Sequence, residues 1–199
     1  MKLLPLERSL LFSKKMNRKT AMQTILLKNK EQLIIREATK EDASRAIDYI
    51  KKVGDETDFL TFAGDELSRE KSEQEKIIED HRIAENQIFL VAEIGNEIVG
   101  LLNVATRKRE RLKHVGEFGI SVLKAHWGKG IASIMLKIMI NWAKENKIIT
   151  KLNLQVLSHN ESAIKLYKKH GFEMEGCMRR DFYIKGQYYD AYFMGMLID

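Results

Sequence analysis

Between Val122 and Ser133 an apolar, strand-like run ends and Gly128-Lys129-Gly130 leads straight into a helical pattern opening at Ile131. Few local patterns constrain a fold more. The first N–H groups of a helix have no intrahelical partner, the helix dipole adds partial positive charge there, and glycine lets a ligand approach the backbone closely. The segment therefore predicts an anion site suited to a pyrophosphate, at the end of one strand of a larger sheet.

The flanking sequence supplies that sheet. Leu33 to Ala38 reads as a strand, and Thr39 with Asp42 forms a capping box ahead of a helix whose apolar face is Ala43, Ala46, Ile47 and Ile50. Ser72 with Glu75 repeats the capping pattern before Ile77 and Ile78. Ile88 to Ala92 and Ile98 to Ala105 are apolar runs joined through Gly95-Asn96, a hairpin signal. Arg107 to Lys113 reads as a solvated loop before a third run, Val115 to Val122. Ile131, Ile134, Ile138 and Trp142 share one helical face, and Leu152, Leu154 and Val156 alternate with polar residues as a half-buried strand. Asn160 opens a short helix ended by Gly171, and Lys185-Gly186 turns a closing hairpin between Phe172 to Ile184 and Gln187 to Met196.

Charge placement narrows the function classes. The formal net charge is +6, but residues 1–30 hold eight Lys or Arg against one acid, so the rest is almost neutral. This places a basic N-terminal extension at 1–30, with a later start open at Met16 or Met22, and one domain at 31–199. The extension reads as solvated; an RNA-associated role through it is a weaker alternative, and no DNA or membrane partner is expected. No apolar run approaches the roughly 18 residues that span a bilayer, and the segment from Leu3 to Phe12 is broken by Glu7 and Arg8. A single cysteine, Cys177, excludes an internal disulfide and points to a reducing, cytoplasmic setting. His126 and His170 lack ligand-spaced partners, so no metal is expected.

Spacing discriminates among phosphate loops. A P-loop needs Gly-x4-Gly-Lys-Ser/Thr, which is absent, and a dinucleotide fingerprint needs a glycine or alanine where Ser133 stands and an acid where Asn153 and Gln155 stand. A plain glycine turn is the remaining alternative.

Two ordered blocks decide the comparison. Trp127-Gly128-Lys129-Gly130-Ile131-Ala132 resembles the coenzyme A loop of the GNAT acetyltransferase superfamily, departing from it at Trp127, where the family has Gln or Arg. Asn160-Glu161-Ser162-Ala163-Ile164-Lys165-Leu166-Tyr167-Lys168-Lys169-His170-Gly171-Phe172 resembles the family's Asn-x-x-Ala-x-x-Leu-Tyr-x-x-x-Gly-Phe segment. The resemblance implies an α/β (α+β) GNAT fold: a mixed, mostly antiparallel twisted sheet of six to seven strands, with a splayed central parallel pair and about four helices. It implies an N-acetyltransferase that uses acetyl-CoA as co-substrate, needs no metal, works by direct attack of an amine, and has room for a homodimer.

By the same resemblance, Trp127, Gly128, Lys129, Gly130, Ile131, Ala132 and Ser133 hold the cofactor phosphates and Asn160 the pantetheine arm. Tyr167 protonates the departing thiolate. Ile120, Ser121 and Val122 offer backbone groups to the cofactor from a bulged strand. Asn160 and Tyr167, about 10.5 Å apart along one helical face, suit one extended ligand. Their structural alternatives are a helix cap and a core aromatic.

Glu117 is the candidate base, against the alternative of a surface carboxylate. Deprotonation at pH 7 costs about 4.6 kcal/mol for a lysine-like amine and about 1.4 kcal/mol for an α-amine near pKa ~8. Asp55, Glu56, Asp58, Asp65 and Glu66 form an acidic stretch suited to attracting a cationic amine, or simply a solvated loop. The tail from Met178 to Asp190 resembles the branch containing ribosomal-protein N-terminal acetyltransferases. Polyamine or other small-amine acetylation, and a non-catalytic coenzyme A-binding module, stay open.

Overall fold

The structure, a computed structural model, describes residues 22–199 apart from 65 and 68. The basic extension therefore lies, up to residue 21, outside the described residues.

Eight strands form one sheet in the order β1-β2-β3-β4-β5-β6-β8-β7. They are β1 (Gln23–Leu26), β2 (Gln32–Glu37), β3 (Ile88–Ile94), β4 (Glu97–Thr106), β5 (Val115–Val122), β6 (Lys151–Leu157), β7 (Glu173–Ile184) and β8 (Gln187–Leu197); the helices are α1 (Ala43–Glu56), α2 (Lys71–Ile83), α3 (Ile131–Asn146) and α4 (Glu161–Lys169). Every neighbouring pair is antiparallel except β5 with β6. The mixed sheet with a central parallel pair is the expected architecture. β1 is an eighth strand ahead of the seven that the pattern predicts, and it falls inside the segment assigned to the extension.

The pleat sends alternate side chains to two cores. Leu90 and Leu102 pack with α3 and α4 residues on one face, while Val91 and Leu101 pack beneath α1 and α2 on the other. The buried face of α1 is Ala43, Ala46, Tyr49 and Val53, so Ile47 and Ile50, expected in the core, are only half-buried. At the start of α1, Thr39 N–H donates to Asp42 Oδ2 at 2.9 Å, as the capping pattern predicts. Asp42 also accepts from Arg36 at 2.7 and 2.8 Å, and Arg36 and Arg45 both reach Glu93. The cap of α2 differs from the expected one. Glu70 is the N-cap residue and Glu73 accepts from its N–H at 3.3 Å, whereas Ser72 already lies inside the helix.

Candidate functional site

β5 and β6 pair only through Val115–Glu117 against Lys151–Asn153. Beyond that point β5 stays with β4 as far as Val122 and β6 stays with β8 as far as Leu157, so the parallel pair opens into a gap. Two hydrogen bonds identify the backbone groups that face it. Thr150 N–H donates to His114 O at 3.0 Å, toward β6, and Leu123 N–H donates to Val99 O at 2.9 Å, toward β4. Because these directions alternate along a strand, Phe118, Ile120 and Val122 present their backbone groups to the gap. Ser121 turns its backbone to β4, and its Oγ lies 2.9 Å from the Tyr49 hydroxyl of α1. That pair, 72 positions apart, is invisible to local pattern. The bulge expected on β5 is not there: β4 and β5 pair one to one, and the irregularity lies between β3 and β4, where Ala92 meets Gly100 and Glu93 meets Ile98.

The gap opens toward the glycine turn. Gly128 and Gly130 adopt φ of 74° and 84°, and a Cβ at either would meet nothing within 4 Å. Backbone conformation, not lack of space, therefore requires glycine here. Gly130 is the N-cap of α3 and supplies no side-chain acceptor, and the first amide to bond back along the helix is Ile134, to Gly130 O at 3.1 Å. The amides of Ile131, Ala132 and Ser133 thus form the uncapped, positive end of a helix of 16 residues.

Trp127 is 47% exposed, and its Nε1–H donates to Val122 O at 2.7 Å, which ties the turn to the end of β5. Lys129 behaves differently from the rest of the loop. Its Nζ pairs with Glu31 at 2.8 Å and it does not line the cleft, so any ligand contact there comes from its backbone. Ser133 Oγ lies 2.8 Å from His170 Nε2, joining the start of α3 to the end of α4. Burial, with Lys137 and Lys169 adding to it, lowers the pKa of that histidine.

α4 brings the second block to the same cleft. Asn160 Oδ1 accepts from Ala163 N–H at 3.2 Å and from Ser162 Oγ at 3.1 Å, so it caps the helix while its Nδ2 donors stay available. Tyr167 stands between Phe118 and Phe172, edge-on at 6.0 and 6.1 Å between ring centroids. It is thus both a core aromatic and a wall of the cleft, and burial pushes its phenol up to about 12. The cleft encloses about 960 Å³ and is continuous from Gly128 and Ser133 past Ile120 and Tyr167 to the residues between α1 and α2.

Not every expected residue is gathered there. Glu117 is exposed, pairs with Asn153 where the splay begins, and does not line the cleft; it lies on β5 two residues before Gly119, which does. Three members of the acidic stretch turn elsewhere, and Asp65 lies outside the described residues. Glu56 accepts from Lys124 N–H at 2.7 Å, Asp58 pairs with Lys185 at 2.6 Å, and Glu66 accepts from Ala63 N–H at 2.8 Å. Among the described residues no Asp or Glu lines the cleft. The charged residues that do are Arg69, Lys169 and, when protonated, His126. No group of three or more His, Cys, Asp or Glu suited to a metal occurs among the described residues.

A sequence model of the acetyltransferase (GNAT) family matches residues 55–172, more than half of the chain and the part that contains the splay, the turn and α4. The chain belongs to the GNAT acetyltransferase family. An acetyltransferase of the GNAT family from Streptococcus pneumoniae is 36% identical, with a TM-score of 0.82 over 84% of this chain and 99% of that one. An L-amino acid N-acetyltransferase of Escherichia coli is 38% identical over 105 residues, 53% of this chain and 65% of its own length. A spermidine N(1)-acetyltransferase of the same species is 27% identical over 72% of this chain and 76% of its own. The chain thus spans less than two thirds of the first of these two enzymes. In this GNAT chain the phosphate turn, the splay and the α4 tyrosine open on one cleft, at whose far end Arg69 and Gln74 line the wall.

Proposed function

We propose that the chain transfers the acetyl group of acetyl-CoA to a primary amine by direct attack, with no covalent enzyme intermediate. The splay of β5 from β6, opening beside the uncapped start of α3, carries this reading. The amides from Gly128 to Ser133 take the pyrophosphate. The pantetheine arm then lies along β5 as an added strand, paired with the backbone of Ile120 and Val122 and hydrogen-bonded by Asn160 Nδ2. This leaves the thioester beside Tyr167, where the Ile120 N–H polarises the acetyl carbonyl as negative charge develops on its oxygen.

Tyr167 acts as a hydrogen-bond donor to the sulfur as the C–S bond breaks. With its phenol near 12, complete transfer of its proton to a thiolate of pKa ~8.5 is uphill by about 5 kcal/mol, so the phenol stays protonated and the proton that ends on sulfur comes from the attacking amine. Glu117, outside the cleft, is assigned a part only through water. A cytoplasmic setting accords with acetyl-CoA as co-substrate and with an exposed free thiol at Cys177.

Calorimetric titration with acetyl-CoA, followed by thiol release against a panel of amino acids, polyamines and N-terminal peptides, tests the proposal. Binding with amine-dependent release is expected. Binding without release from any amine would leave a coenzyme A-binding module, and no binding would remove the cofactor assignment altogether.

A further inference from the structure

Among the described residues, the charge that lines the acceptor end of the cleft is opposite to the one that the acidic stretch suggests. Lys169 and His126 lie toward the phosphate turn, so Arg69 is the remaining charged residue among those lining the acceptor end. Its Nη1 donates to Gln74 Oε1 at 3.3 Å, and among the described residues it has no ion-pair partner and no other hydrogen-bond partner. Arginine only donates, so this bond fixes the orientation of the Gln74 carboxamide. Gln74 Nε2 then lies buried at the cleft wall without an acceptor. Buried donors of this kind are rare and costly in folded proteins, and here the donor adjoins a guanidinium that has no acidic partner among the described residues. The remaining lining at this end includes Phe62, Leu67, Ile77 and Phe89.

We propose that the acceptor is a free α-amino acid with an apolar side chain, held by its carboxylate on Arg69, with Gln74 as the residue that positions the guanidinium. This rests on the acetyl-transfer reading and names its substrate class. Two chemical arguments agree. A planar guanidinium suits bidentate recognition of a carboxylate. A polyamine would bring further positive charge against Arg69 with no acid among the described lining residues to receive it. A peptide N-terminus has the right amine but carries an amide where the carboxylate should be.

The test compares acceptors that differ only in that group. Acetyl-CoA-dependent thiol release is measured with L-leucine and L-phenylalanine, with their carboxamides, and with spermidine, using wild-type protein and Arg69→Gln. Wild-type kcat/KM, expressed per concentration of unprotonated amine, is expected to favour each free acid over its carboxamide by about 10- to 150-fold, the range of a lost charge-assisted hydrogen bond. Arg69→Gln should reduce that ratio to within about threefold by raising KM for the free acid. Its acetyl-CoA Kd and thermal midpoint should stay close to wild type, which separates lost recognition from lost folding. Equal use of acid and carboxamide by the wild type, or a preference for spermidine, overturns the acceptor class and leaves acetyl transfer standing. Absence of release from every amine overturns the transfer reading, and this inference with it.

Discussion

Replacing Tyr167 by phenylalanine removes one oxygen and leaves the ring contacts with Phe118 and Phe172 in place. The hydroxyl has no hydrogen-bond partner among the described residues, so its removal strands no donor or acceptor. The stability change should be under about 0.5 kcal/mol, visible as an unmoved denaturation midpoint. Catalysis should respond differently. If the O–H donates to sulfur as negative charge grows there, the lost interaction is a charge-assisted hydrogen bond of about 1.5–3 kcal/mol, present mainly in the transition state. Turnover should fall about 10- to 150-fold while acetyl-CoA affinity and acceptor KM change by less than threefold. The pH profile provides a second check. A phenol near 12 stays protonated through the assay range, so the residual activity of Tyr167→Phe should follow the wild-type pH dependence up to about pH 10. Steady-state thiol release on a stability-matched variant is the assay. Turnover within twofold of wild type would refute the assignment and leave Tyr167 as a core aromatic.

Two further substitutions probe the scaffold. Gly130→Ala forces a Cβ onto φ of 84° in open space, so it should cost about 1–2 kcal/mol of stability from backbone strain alone. It should also weaken acetyl-CoA binding at least tenfold by calorimetry; unchanged affinity would mean that the phosphates do not approach this turn. At Asp42, burial raises the carboxyl pKa, but hydrogen bonds from Arg36 and the Thr39 N–H outweigh it and hold the group below its ordinary value. A depressed folded-state pKa contributes stability above the ordinary carboxylate range and loses it as pH falls through the folded value. Asp42→Asn should therefore destabilise by about 1–3 kcal/mol at pH 7, with the difference shrinking below pH 4, measured as urea midpoints. A gap that is independent of pH would contradict the ion-pair account.

The parts legible in the sequence are those in which short-range chemistry acts alone. β5 runs from Val115 to Val122 and α3 opens at Ile131 because a continuous apolar run, two positive-φ glycines and a helical repeat coincide there. Asn160 caps α4 because its side chain reaches the Ala163 amide three residues on. β1 carries no legible pattern because it is four residues long, mostly exposed, and set in a basic segment. The cap of α2 departs from the predicted one because a glutamate occupies a position that serine usually fills. The direction of the acidic stretch, the pairing of Arg69 with Gln74, and the meeting of Tyr49 with Ser121 depend on how α1 and α2 settle on the sheet, and no local spacing encodes that. Glu117 shares its strand with Gly119, which lines the cleft, but stands where the parallel pair is still closed.

Among the described residues, β5 and β6 share three paired positions, with the Thr150 N–H to His114 O bond just before them, where the half-sheet β1 to β5 meets the half-sheet β6 to β8. A ligand lying in that opening completes backbone pairing that the chain leaves unfinished, and so becomes part of the cohesion between the two halves. Resistance to unfolding then rises with ligand concentration as RT ln(1 + [L]/Kd), about 2.7 kcal/mol at a hundredfold excess over Kd. The lifetime of this protein would accordingly follow the supply of activated acetyl groups around it, and starvation for them would weaken the seam first.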